Sequence, residues 1–375
     1  MHPLVDIATL SAPAQKILDP KSPAPLRQMA ARGIAPGLKP GDAVTVLAML
    51  SESDEGALSA TAKATLDRLP MPLLTGALGG DLPAGVIDLL ARRYATNSIV
   101  MEKILVLGSI AGSTVADVAA IASEDVCELI AVNEERMLAH PAIIEKLYMN
   151  KHARMSTADR VLELAVRNRI DLHGIPAFKE AAAAIVNELI PEASAEPTPD
   201  DVMFRELEKL SEDVPIDPSI EDTHKLDEAT GDEVVDDRFL PIHAQLANMT
   251  VSQKIRRAML GSATERLLLV RDRNRLVAQA AVRSPMMQEN EMIRISASRA
   301  VSDDVLRIIA TDKQWSSSHQ IKVNLVTNPR CPFAHAAKLI PHMREHELKA
   351  LAKSKNVTGA INKAAKQQLQ RRNVK

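Results

Sequence analysis

Aromatic residues are nearly missing from this chain. Phe178, Phe204, Phe239, Phe333, Tyr94, Tyr148 and Trp315 are all that 375 residues contain. Glycine is sparse, at 14, and the only cysteines are Cys127 and Cys331. Strands draw on aromatic and β-branched residues, and tight hairpins on glycine, so these shortages argue against a β-rich fold. Two thiols so far apart in the chain cannot supply the disulfide framework that staples small secreted domains. The longest uncharged apolar stretch, Ile104 to Ala116, has 13 residues and includes Gly108 and Gly112. A membrane-spanning helix needs about 20, so no membrane association is expected. The opening MHPLVDIATLSAPAQK lacks a basic segment followed by an apolar one. No signal peptide is therefore expected, and the location is read as cytoplasmic.

What remains is helix-forming material. The hydrophobic share is 46%, and with so few aromatics the core must be Ala, Leu, Ile, Val and Met. Ala, Leu and Met are among the strongest helix formers. The length allows two core-bearing units at roughly 100–200 residues each.

A net charge of −2 conceals a three-part division. Residues 1–190 hold 18 basic and 22 acidic side chains; residues 191–237 hold 3 and 17; residues 238–375 hold 25 and 9. The expected organisation is an N-terminal helical segment over 1–190, an acidic linker over 191–237, a basic helical segment over 238–370 and a basic tail over 371–375. The linker has five prolines and few large apolar residues. Such a stretch buries too little surface to offset its ordering entropy and is expected to be largely disordered. One helix from Asp201 to Leu210 is expected within it, since Val202, Leu207 and Leu210 recur near helical spacing. The alternative is that its 17 carboxylates fold back onto the basic segment.

Either side of this stretch, short helical patterns follow one another. SATERLLLVRD, NRLVAQAAVRS, MMQENEMIRISAS and SDDVLRIIATD each carry apolar residues three and four apart. Ser262 with Glu265 has capping-box spacing, and Ser302, Ser156 and Thr358 are further N-cap candidates. A pattern of two apolar residues, one variable residue and a short polar one recurs where these helices stop. It ends at Asn133, Asn150, Asn168, Asp272, Ser284, Asp312 and Asn328. Short polar residues suit the turn conformations such junctions need, and Pro285 and Pro329 reinforce two of the stops. Helices of about ten residues are marginal alone and become stable by stacking on neighbours. The fold class expected is all-α, an α-solenoid in two segments joined by the acidic linker.

This alternation, above all KVNLVTNPRCPFAHAAKLIPHMREHELKALAKSKNVTGAINKAAKQQL, resembles HEAT-like α-helical repeat proteins of bacteria over about 80–175 and 245–370. The resemblance implies a curved superhelix whose inner face binds protein or nucleic acid. It implies no shared chemistry. The acidic stretch departs from a continuous array, leaving one superhelix and two as alternatives.

No catalytic set emerges. His342-Met343-Arg344-Glu345-His346 has the H-x-x-E-H form of inverted zincins. Pro341 precedes it at an expected junction, and no carboxylate follows Glu347 to serve as third ligand. Cys331, His335, His342 and His346 match no common zinc spacing, so surface histidines are the expectation. Gly79-Gly80 is followed by Asp81-Leu82 in place of the Lys-Ser/Thr of a phosphate loop and reads as a turn. No enzyme activity, cofactor, metal or small-molecule substrate is expected. The functional signal is a basic surface of Arg256, Arg257, Arg271, Arg273, Arg275, Lys353, Lys355, Lys363, Lys366, Arg371 and Arg372. It suits nucleic-acid phosphates or, alternatively, an acidic partner protein or the chain's own acidic linker, the plainer reading being a solvated helical face. With only Phe239, Trp315 and Phe333 available for stacking, any nucleic-acid contact is expected to be backbone-directed.

Overall fold

The computed structural model describes residues 5–373 apart from 187 and 229, so residues 374 and 375 of the basic tail lie outside the described residues. Among the described residues the chain forms 24 α-helices and one two-stranded hairpin, which makes the protein all-α. It divides into two compact units, Met1–Ala165 and Val166–Lys375. The acidic stretch expected to lie between two helical segments falls inside the second unit. Among the described residues no helix is long and apolar enough to cross a membrane.

The first unit comprises α1 (Ala12–Leu18), α2 (Ala24–Ala31), α3 (Pro40–Ser51), α4 (Gly56–Asp67), α5 (Met71–Leu78), α6 (Ala84–Arg93), α7 (Ser98–Val106), α8 (Gly112–Ile121), α9 (Glu124–Ala131), α10 (Glu134–Ala139), α11 (Ala142–Met149) and most of α12 (Met155–Arg167). Proline within the first two positions starts α1, α2, α3 and α5, where its missing N–H costs nothing. Asn97 and Asn133 start α7 and α10 by accepting first-turn amides. Helices pack on the second one along: α3 on α1 and α5, α7 on α5 and α9, α2 on α4, and α6 on α8. Gly112 opens α8 against the His140 ring, in space that any Cβ would occupy.

The second unit comprises α13 (Phe178–Ile185), α14 (Pro199–Asp213), β1 (His224–Leu226), β2 (Glu233–Val235), α15 (Leu240–Asn248), α16 (Val251–Leu260), α17 (Ala263–Leu269), α18 (Arg275–Val282), α19 (Glu289–Ala297), α20 (Asp303–Thr311), α21 (His319–Thr327), α22 (Phe333–Leu339), α23 (Glu345–Lys353) and α24 (Gly359–Asn373). Here the alternate packing forms two rows. One runs α16, α18, α20, α22, α24 and the other α15, α17, α19, α21, each helix against the next in its row.

The recurrent polar position at the helix stops has a structural role. The Asn328 Nδ2 donates to the carbonyls of Ser296 (3.0 Å) and Ser298 (2.8 Å), about two helices earlier, while its Oδ1 accepts the Arg330 amide. Asn150 repeats the arrangement in the first unit, donating to Ala119 and Ala122 and accepting from His152. Asp272, Ser284 and Asp312 each accept the amide two residues on. One side chain thus turns the chain and, at the asparagines, also satisfies carbonyls left open at an earlier helix end. The Ser262–Glu265 capping box forms. Ser302 occupies the N-cap of α20, but its hydroxyl makes no capping bond, and Ser156 lies inside α12 instead of ahead of it.

The acidic stretch departs from a largely disordered spacer. Its helix is longer than the expected 201–210: it runs from Pro199 to Asp213 behind a Thr198–Asp201 capping box and buries Phe204 and Leu207. The strands β1 and β2 then pair antiparallel, with Lys225 opposite Val234.

Candidate binding surface

The arginines expected at the surface separate into two kinds. Arg256 and Arg257 sit on α16, whose inward face takes both guanidiniums into the core at 0% and 3% exposure. The Phe204 ring from α14 lies 5.2 Å from the Arg256 guanidinium and 4.7 Å from that of Arg257, so each cation meets an aromatic face. Arg257 also donates twice to Glu265 at 2.5 Å, and Arg266 donates twice to Glu291 at 3.0 Å and once to the Gly261 carbonyl. These groups are structural: buried charges persist only when paired and fully hydrogen-bonded. Helical periodicity alone did not reveal this, because a capping Glu at N3 is equally the partner a buried Arg would require.

Arg271 leaves the surface for a different reason. Its guanidinium donates to the Leu267 carbonyl and to Asp222 at 2.9 Å, with Glu233 at 3.6 Å. Asp222 and Glu233 belong to the acidic stretch, on either arm of the β1–β2 hairpin. Glu233 further accepts the Ser298 hydroxyl at 2.5 Å and the Arg299 amide at 2.7 Å. Arg294 donates to the Pro218 carbonyl at 2.6 Å. Two of the stretch's carboxylates, Asp222 and Glu233, thus contact the segment that follows it.

Beside the hairpin lies a cavity of about 380 Å³, lined by His224, His243, Lys254, Arg271, Asp272 and Arg273 among others. Burial pushes the His224 imidazole down to about 4, reinforced by the Arg271 cation and opposed by Asp222 and Glu233. Near neutral pH it is therefore uncharged. Arg273 is exposed at the cavity's edge, and Arg275 is exposed but pairs with Asp304 at 2.7 Å.

The C-terminal cations stay at the surface. Lys353, Lys355, Lys363, Lys366, Arg371 and Arg372 are all exposed. Lys353 ends α23 and Lys355 follows in the turn, while α24 carries the other four; α23 and α24 pack on one another. Arg372 donates to the Pro341 carbonyl and Lys349 pairs with Glu345 at 2.6 Å. Buried Leu348, Leu351, Ile361 and Ala365 hold the two helices together, which leaves the cations on the outer side. The sequence between Glu347 and Lys375 contains no carboxylate to neutralise them.

The histidines do not converge. His342 closes the 3-10 turn Ile340–His342, whereas His346 lies in α23, so the H-x-x-E-H pair does not share a helix. Among the described residues no group of three or more His, Cys, Asp or Glu could hold a metal ion. Cys331 is buried, which pushes its thiol up to about 11, and His319 instead bonds Glu347 at 2.7 Å.

No protein-family model, curated protein or solved structure matches this chain.

Proposed function

We propose that the protein is a non-catalytic α-solenoid scaffold of HEAT-like type that binds an acidic partner protein. The observation that carries this reading is the row-wise stacking of short helices, one row ending in α24, against which α23 packs; the exposed lysines and arginines of this pair outnumber its carboxylates Glu345 and Glu347. Stacked repeats expose long surfaces suited to protein recognition. Lysine and arginine clusters on such a surface steer association with acidic partners and set its salt dependence. Cys127 and Cys331 are buried and form no disulfide with one another, which suits the cytoplasm, where thiols stay reduced.

Affinity capture from native lysate tests the reading. Partners are expected to persist after nuclease treatment and to be lost on Lys363→Glu/Lys366→Glu substitution. Loss of every partner on nuclease treatment would refute it.

A second reading is supported by the same exposed cations: attachment to nucleic-acid backbones. Electrophoretic shift of the full chain would then weaken steeply with salt, and removing two cations would lower the slope by roughly 2. Absence of retardation at low salt removes this reading.

A further inference from the structure

The hairpin and the surface beneath it are built unequally. On the receiving side, the Arg271 guanidinium is fixed by the Leu267 carbonyl and is only 3% exposed. The Ser298 turn is held from behind by Asn328, which donates to the Ser298 carbonyl at 2.8 Å. Three donors, from Arg271, Ser298 and the Arg299 backbone, thereby face one carboxylate, that of Glu233. A second carboxylate, Asp222, sits on the far end of the same guanidinium, and Arg294 reads a backbone carbonyl further along at Pro218. Preorganised donors of this kind select for an extended chain carrying spaced carboxylates.

On the occupying side there is little to hold the hairpin beyond those polar contacts. Between Ser211 and Phe239, the sole buried residue among those described is Thr223, and it is polar. Ile220 and Leu226 point outward, at 75% and 69% exposure. Upstream the same stretch is anchored by Phe204 and Leu207, and downstream by Phe239 and Ile242. The hairpin is therefore tethered firmly at both ends and held between them by charge and hydrogen bonds alone. Segments with few buried apolar contacts open at low free-energy cost.

We propose that the Arg271–Arg294–Ser298 groove is a recognition site for an extended acidic peptide of a partner protein, and that the β1–β2 hairpin is its resident intramolecular occupant. An incoming acidic segment competes with Asp222 and Glu233 for the same donors. This site is separate from the α23–α24 cations, so it stands or falls independently of the scaffold reading there.

The test uses the full chain and a fluorescent synthetic peptide copying residues 214–238. Asp222→Asn/Glu233→Gln weakens the resident occupant and leaves the groove intact. Fluorescence anisotropy should show this variant binding the peptide at least tenfold more tightly than the unaltered protein. Adding Arg271→Met should abolish the gain. Hydrogen exchange should show faster exchange at residues 222–236 with α17 and α19 still protected. Equal peptide affinity in the two proteins overturns the proposal. So does a gain that survives Arg271→Met, which would place the peptide on another cationic surface. Loss of protection throughout α17 and α19 also overturns it, because the hairpin would then be an integral part of the fold. A gain for duplex DNA but not for the peptide would assign the groove to a different ligand class and likewise reject it.

Discussion

Replacing Asn328 with alanine isolates what the junction asparagine contributes. Its side chain makes three hydrogen bonds: two donated to the Ser296 and Ser298 carbonyls, at 3.0 and 2.8 Å, and one accepted from Arg330 at 3.0 Å. Asn328 is 6% exposed, and its bonds to the two carbonyls are buried. The Arg330 amide belongs to an exposed residue and can turn to water. Two stranded buried carbonyls at about 1–2 kcal/mol each predict a loss of about 2–4 kcal/mol. For a unit of this size, that corresponds to a fall in melting temperature of roughly 5–15 °C. Asn328→Asp should be worse, because it keeps the acceptor for Arg330 but turns a carboxylate oxygen toward two carbonyls. Urea unfolding followed by circular dichroism reads the loss, and Asn150→Ala provides the matching perturbation in the first unit through Ala119 and Ala122. A change below about 0.5 kcal/mol in Asn328→Ala, or an aspartate variant as stable as the unaltered protein, would refute the reasoning.

Glu291→Ala strands the buried Arg266 guanidinium and should cost about 3–5 kcal/mol in denaturant unfolding, whereas Arg266→Met/Glu291→Leu should recover most of it. In Gly261→Ala the new Cβ would lie 2.5 Å from the Arg257 carbonyl and press on the Glu265 carboxylate; a melting scan should show a loss of about 2 kcal/mol or more. His224 binds its proton less readily folded than unfolded, so it favours the docked hairpin fully above about pH 6.5 and progressively less as the pH falls toward about 4. Allowing for partial solvent access, the contribution is about 1–2 kcal/mol, and His224→Gln should flatten the pH dependence of hairpin protection in hydrogen exchange across that window. Lys363→Glu/Lys366→Glu should leave unfolding within about 0.5 kcal/mol of the unaltered protein, since both side chains are exposed, while weakening capture of an acidic partner at least tenfold.

Helix content was legible from the sequence because shortage of aromatics and glycine leaves few routes to a sheet, and 3.6-residue spacing is a local property. The polar residue closing each helix was legible as a recurrence. That Asn150 and Asn328 also reach carbonyls about thirty residues earlier was not, because that partner is set by stacking. The basic surface was only partly legible. Charge counting treats every arginine alike, yet Arg256 and Arg257 face inward from α16 while Lys363 and Lys366 face outward from α24. A sign was present: Gln253, Arg257 and Glu265 follow the capping signals of adjoining helices, so polar side chains were already committed to helix ends. For the acidic stretch, composition pointed to a solvated chain, and it missed that Phe204, alone among dense charge, is an anchor against two guanidiniums.

The alternate packing of the second unit has a consequence for how the chain can acquire its structure. Along each row a helix meets its neighbour after about thirty residues, so during synthesis it can dock soon after that neighbour leaves the ribosome, and short loops close quickly. The β1–β2 hairpin cannot do so. Its contacts with Arg294 and Arg299 span 76 and 66 positions, so its donors emerge only after several further helices have been made. Arg271 reaches Asp222 across 49 positions and emerges first, so the hairpin gains its donors in stages, Arg271 before Arg294, Ser298 and Arg299.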